Sequence, residues 1–345
     1  MSPKRFETIT RRFSNLTIGV VGDFCLDRYL EIDPAKAETS IETGLPVYNV
    51  VRVRSQPGAA GTILNNLVAL GVGTLYPIGF AGEDGEGYEL LRCLRQKGGV
   101  KMDYFLQTAE RRTFTYCKPL VMEQGAAPRE LNRLDSKNWT VTPAKVAAQL
   151  AKSLETLSAQ VDAIIVMDQV DIPQTGVVTR PLLDTVRQIS HAHSQLLLLA
   201  DSRRGLREFP AVTFKMNAAE LGKLSGKSSA LDLAQQKVEA AVLARKNGRS
   251  VFVTLADKGI LGASPSGEVQ HVPALPVRGE IDVVGAGDAV TANLTCALAS
   301  GASILEALEL ANAAASVVIH QLGTTGTAQI NELRPLVCLE EITNP

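Results

Sequence analysis

Gly285-Ala286-Gly287-Asp288 is the stretch of this chain best equipped to do chemistry. A glycine-rich turn followed by an Ala/Leu-rich run to about residue 300 describes a helix whose first amides are left unpaired. Those amides, together with the helix dipole, make a site for an anion or for developing negative charge. Glycines at 285 and 287 free the backbone angles and let a ligand approach without meeting a Cβ. Asp288, in the first turn, is badly placed to hold a phosphate, because like charges repel. It is well placed to take a proton from a hydroxyl attacking one. The competing reading is a plain turn with Asp288 as its cap. No Gly-Lys-Ser/Thr follows, so this is not a Walker A loop, and its late position separates it from an opening dinucleotide fold.

The elements that must position this turn are legible as apolar runs. Residues 16–22 read as a buried parallel strand, with Asp23 and Asp27 just beyond its end, where open α/β sheets collect ligands. Asp23 as a turn cap and Asp27 as a partner of Arg28 are the competing readings. Residues 29–54 change to short, alternating segments that suggest strands outside the main sheet. Pro57-Gly58-Ala59-Ala60-Gly61 then leads into a helix from Thr62 to Leu70, its small residues leaving room for a ligand or for close packing. Strands follow at 73–79, 102–106 and 113–122, with a helix at 86–97 between the first two. The polar run 129–135, with Asn132, Arg133 and Asp135, reads as a solvated loop. Beyond it the pattern alternates: helix 143–158, strand 163–167, helix 174–192, strands 195–200 and 212–216, helices 217–224 and 229–247, strand 250–255. A β-rich segment at 281–284 precedes the glycine turn. Strands separated by helices of this length imply a parallel sheet covered on both faces, an α/β fold. Asp168, Asp201, Asn217 to Glu220 and Thr254 to Gly259 each follow a strand, as residues along one crevice would. Asn217 and Glu220 also match a capping box.

Composition narrows the class. The 345 residues are 45% hydrophobic and 21% charged, with a formal net charge of −1, which gives no argument for nucleic acid or an anionic membrane as partner. No apolar run reaches membrane-spanning length. Five scattered cysteines without a CxxC pair fit a reducing compartment, so a cytoplasmic location is expected. His191 and His193 have no third ligand nearby, which leaves no metal centre to predict. The basic first 15 residues read as a polar lead-in to the first strand, with a transit peptide as the alternative.

Taken together, these motifs resemble the PfkB/ribokinase family of carbohydrate kinases from about Thr17 to Leu336. The resemblance rests on Asp282-x-x-Gly285-Ala286-Gly287-Asp288, Asn217-x-x-Glu220 and Thr254 to Gly259, and equally on Gly22-Asp23-x-x-Leu26-Asp27-Arg28-Tyr29 and Ala311-Asn312-Ala-Ala-Ala315 ahead of Leu322-Gly323-Thr324. The flanking phrases look most like the heptose-phosphate kinase branch. The resemblance implies one ribokinase-like domain over 1–345, with a central, mostly parallel sheet, flanking helices and a small β lid formed by 29–54 and 101–125. That lid would serve as a homodimer interface.

It further implies transfer of the γ-phosphoryl group of ATP to a hydroxyl of a sugar or sugar phosphate, with Mg²⁺, and leaves a monovalent cation open. Asp288 would be the base, and the Gly285, Ala286 and Gly287 amides would stabilise charge on the phosphoryl group. Asp23, Asp27, Gly58, Ala59, Thr62 and Asp282 would border the acceptor. Asn217 and Glu220 would place Mg²⁺ and phosphate through water, while Thr254, Ala256, Gly259 and Asn312 would border the nucleotide. The chain departs from the family pattern at Ala59 and Ala256, where glycines are usual, at Thr62, where an asparagine is usual, and at Asp168-Gln-Val-Asp171, where that branch carries a tyrosine and a glycine-rich turn. The alternatives are a kinase for a nucleoside or vitamin-like alcohol, and a non-catalytic sensor on the same fold.

Overall fold

Eight strands form the main sheet of the computed structural model, which describes residues 1–123, 125–126, 128–227 and 230–338. Position 124 of the expected 101–125 stretch, position 229 of an expected helix and positions 339–345 of the expected domain lie outside the described residues. Across the sheet the strands run Val269–Val272, Ile260–Ala263, Val251–Thr254, Thr213–Asn217, Leu197–Ser202, Ala163–Asp168, Thr17–Gly22 and Thr74–Ile78. The last six are parallel, and the first two add antiparallel at one edge. Ala163–Asp168 is buried at every position, as a strand covered on both faces must be. Its Ile165 and Met167 enter one core with Ile63, Leu64, Val290 and Leu308. Ile164 and Val166 enter the opposite core with Leu150, Leu182 and Ala240. Helices Ala60–Ala69, Ala286–Ala299 and Ile304–Val318 therefore cover one face, and Ala144–Ser158, Arg180–Ala192 and Leu233–Asn247 the other.

A second sheet is built from Phe24–Ile32, Val50–Ala59 and Phe114–Val121, with Arg129–Glu130 and Leu134–Ser136 both paired to the last of these. It reaches further than residues 29–54 and 101–125. The chain passes from Thr17–Gly22 almost directly into Phe24–Ile32, so Asp27 lies within a strand, opposite Gln56. Leu106–Thr108 pairs instead with Phe80–Gly82.

Four local expectations give way to the structure. The lead-in to the first strand is a helix, Pro3–Thr10, capped by the Ser2 side chain, and it buries Phe6 and Ile9. The helix expected from 174 begins at Arg180: Gln174 has φ +66°, and Pro181 suits a first turn rather than a helix interior. Leu233–Asn247 starts at a capping box of Asp232 and Gln235. Residues 281–284 form no strand. The Asp282 N–H donates to the Ile319 carbonyl at 2.8 Å and the Asp282 carboxylate accepts from the Val284 N–H at 3.0 Å, which leaves Ile281, Val283 and Val284 exposed.

Candidate active site

The helix Ala286–Ala299 starts at Gly285, whose φ of +84° lies in the left-handed region that favours glycine. A Cβ at this position would also come within 3.0 Å of the Thr325 methyl. Gly287 is ordinary helix, contrary to the expectation of unusual angles there. The Ala286 N–H donates to the Val283 carbonyl at 3.3 Å. Among the described residues, no oxygen accepts from the amides of Gly285, Gly287 or Asp288. The amides left free for an anion are thus these three, one of them Asp288's own, and that of Ala286 is already taken.

Asp288 and Gly285 line a cavity of about 220 Å³ with Asp27, Ala59 and Thr62. Asp27 is 6% exposed, and Gly58 makes room for it: a Cβ on Gly58 would sit 2.6 Å from the Asp27 carboxylate. Burial raises the Asp27 carboxyl above its usual range, while Lys118 and a hydrogen bond from Thr325 oppose the shift. Burial likewise pushes Asp288, half-buried at the cavity wall, up to about 7; Lys215 pulls it down, and Asp201 and Asp27 push it further up.

Asp23 does not belong to this group. It is fully buried, one carboxylate oxygen accepting from the amides of Gln169 (2.8 Å) and Val170 (3.3 Å) and the other from Val177 (2.7 Å). Those bonds fix the loop beyond Ala163–Asp168, and the fully buried Asp23 side chain is not among the residues lining the cavity. Gly58 and Asp282 are not among the residues lining the cavity: the first makes room for the Asp27 carboxylate, and the second closes an Asx turn before Gly285.

The residues expected near the nucleotide gather at the ends of neighbouring strands. Asn217 and Thr254 are paired in register. Leu255 to Gly259 forms a tight turn in which Ala256 takes φ +53°, and Gly259 packs against the backbone of Val272 to Ala274. Asn312 is buried and donates to the Pro273 carbonyl at 2.9 Å, so its amide fastens that loop. Asn217 and Glu220 form a reciprocal capping box: the Asn217 side chain accepts from the Glu220 N–H at 2.9 Å, and the Glu220 carboxylate accepts from the Asn217 N–H at 2.7 Å. One carboxylate oxygen of Glu220 and the amide nitrogen of Asn217 stay uncommitted to the cap.

Three cations line the same cavity: Lys118, Arg133 and Arg203. Arg133, expected in a solvated loop, stands there because Leu134–Ser136 pairs with Phe114–Val121 and carries its neighbour in. The only sequence signal for Lys118 is the two-residue spacing of Tyr116 and Lys118, which puts both on the face of Asp27 and Tyr29. Arg203 directly follows Leu197–Ser202. Gln169, between the expected Asp168 and Asp171, completes the wall with Tyr116, Val284 and Thr325.

With this geometry in place, comparison with known proteins identifies the family. The model of the pfkB family of carbohydrate kinases matches residues 24–331. The bifunctional protein HldE of Caulobacter vibrioides is 30% identical over 92% of the chain and 62% of its own length. That of Gluconacetobacter diazotrophicus is 29% identical over 93% of the chain and 63% of its own length, so the chain spans under two thirds of these relatives. Among solved structures, Escherichia coli phosphofructokinase-2 (Y23D mutant) superimposes with a TM-score of 0.68 at 17% identity, covering 93% of this chain and 98% of that one. Arabidopsis thaliana ribokinase, complexed with ribose and ATP, gives 0.66 at 18% identity, covering 94% of this chain and 99% of that one. The fold is ribokinase-like, and the chain belongs to the pfkB family of carbohydrate kinases, a phosphotransferase among them.

Proposed function

We propose that the chain transfers the γ-phosphoryl group of ATP to a hydroxyl of an acceptor sugar that already carries a phosphate. The carrying observation is the cavity in which Asp288 and the glycine turn meet Asp27 and three cations. A neutral sugar would leave Lys118 without an anionic partner, and a phosphate would supply one within reach of both arginines. Arg203 reaches Asp171 at 3.1 Å and Arg133 pairs with Asp135, whereas Lys118 pairs with no carboxylate among the described residues. Phosphate takes up such a set well, through the planar forks of arginine and the point charge of lysine.

In the reaction, Asp27 and Thr62 hold acceptor hydroxyls and turn one toward Asp288. Asp288 removes that hydroxyl's proton as the acceptor oxygen bonds to the γ-phosphorus. The bond from phosphorus to the β,γ-bridging oxygen breaks, and ADP leaves with the electron pair. The amides at the start of Ala286–Ala299 answer the charge on the transferring group.

An Mg²⁺ ion would enter with the triphosphate, since this ion is usually bound by few protein carboxylates together with substrate phosphates. The free oxygen of Glu220 and the amide of Asn217 would hold its water shell, and when bound it would neutralise charge on the β- and γ-phosphates.

The test is ADP release from Mg-ATP across sugars and sugar phosphates, heptose phosphates included. Turnover on phosphorylated acceptors is expected, and Asp288→Asn should lower kcat by ~10²–10⁴-fold with little change in ATP binding. Equal turnover in wild type and mutant would remove Asp288 from the mechanism. A preference for unphosphorylated sugars would remove the phosphate from the acceptor.

A further inference from the structure

Beneath the glycine turn lies a buried ion pair that the transfer reaction as described does not use. Lys215, on Thr213–Asn217, and Asp201, on Leu197–Ser202, are each 7% exposed, and the Lys215 ammonium meets the Asp201 carboxylate at 2.7 Å. The same carboxylate oxygen accepts from the Thr291 hydroxyl at 3.1 Å, and that hydroxyl also lies 3.1 Å from the Gly287 carbonyl one helical turn back. The clamp therefore joins two central strands to the first turns of Ala286–Ala299. The Lys215 Nζ comes within 3.0 Å of where a Cβ on Gly287 would stand, so the ammonium is pressed against the catalytic turn itself. Burying two charges is costly, and a well-packed apolar pair would serve stability as well or better. A buried ammonium held against the turn that carries the base has another use.

We propose that Lys215 is a positioning residue of the transfer: fixed by Asp201 and Thr291, its ammonium is the counter-charge that holds the Asp288 carboxylate in its proton-accepting form. This rests on the role given to Asp288 above. The charged groups around Asp288 are Lys215 and Asp201 from the sheet, Asp27 from the second sheet, and Lys118, Arg133 and Arg203 on the cavity wall, while Glu220 faces Lys215. Of these, Lys215 is the cation acting on Asp288 most strongly, and Asp201 and Asp27 act in the opposite sense. Asp201 thus has two effects: it anchors the lysine and moderates it.

The experiment is a titration of the Asp288 carboxyl by ¹³C NMR on aspartate-labelled protein without substrates, the resonance being identified by its loss in Asp288→Asn. In Lys215→Met the midpoint should rise by about one pH unit or more, the usual size of a lost opposite charge at close range. In Lys215→Arg, which keeps the charge, it should stay near the wild-type value. Lys215→Met leaves Asp201 buried and alone, so Lys215→Met with Asp201→Asn is the variant to use if the single one does not fold. Its midpoint should still rise, by less than in the single variant. An unmoved midpoint in whichever methionine variant folds would overturn the proposal and reduce the pair to structural packing. The kinase reading fails separately, by absence of transfer in the wild type, and that outcome leaves the titration result standing.

Discussion

Ala59 carries φ +53° and ψ −115° at the cavity wall, a conformation in which its Cβ is strained. The sequence shows only a methyl where the family usually has none. The backbone angle, which no side-chain pattern reports, shows why glycine is the usual residue. Relief of the strain should outweigh the extra freedom glycine gives the unfolded chain, so Ala59→Gly should stabilise the protein by up to about 1 kcal/mol. A higher urea midpoint with an unchanged denaturant slope checks this, and a lower one refutes the strain. Asp23 and Asp27 teach a related lesson. Four positions apart after one strand, they are equivalent in sequence. The amides of Gln169, Val170 and Val177 that claim Asp23 come from a loop almost 150 residues further on, so only the fold separates the structural acid from the acid in the cavity.

Elements were legible where burial dictated them. The runs at 163–167 and 195–200 lie in central strands because covered strands have nothing but apolar residues to offer, and the Ala/Leu run after Gly287 is the helix it was expected to be. Elements whose fate depends on partners were less legible. Residues 281–284 are rich in β-branched side chains, yet they pair with no strand among the described residues, and backbone N–H groups there donate to the Ile319 carbonyl and to the Asp282 carboxylate. Arg133 was hidden for the same reason, since a short strand beside it is defined only by pairing with Phe114–Val121. The turn at 285–288 was legible because its glycine is a local necessity. Gly285→Ala tests that necessity: the left-handed angle costs L-residues ~1–2 kcal/mol, and the new methyl would crowd Thr325. Turnover should fall along with stability, by a larger factor than in a surface Gly→Ala change. Full activity in a folded Gly285→Ala protein would mean that the amides of this turn need not stand where they do.

At the scale of the whole molecule, the two sheets meet around buried carboxyls whose ionisation the fold resists. Asp168 is fully buried beside Asp23. It accepts from the Ser202 hydroxyl at 2.8 Å and from the Arg204 guanidinium at 2.7 Å, and its other oxygen has no hydrogen-bond partner among the described residues. Burial, and then the charge of Asp23, raise its pKa, with Arg204 and Ser202 opposing. Asp288 is raised in the same direction, to about 7. A carboxyl whose folded pKa exceeds its unfolded value of about 4 keeps a proton the unfolded chain has lost, so stability falls as pH rises from about 4 toward 7. Glu306 works the other way: its hydrogen bond from Arg5 lowers it to about 2, so its contribution is complete above its unfolded value and lost as pH falls toward 2. The substrate-free protein should therefore melt higher near pH 5 than near pH 7.5. Asp168→Asn cannot ionise, so its melting temperature should decline less over that interval, whatever its absolute stability. Melting curves for both proteins at closely spaced pH values settle the point. Parallel declines would mean that the Asp168 carboxyl, despite its burial, gives up its proton as readily folded as unfolded, with Arg204 strong enough to hold it ionised throughout.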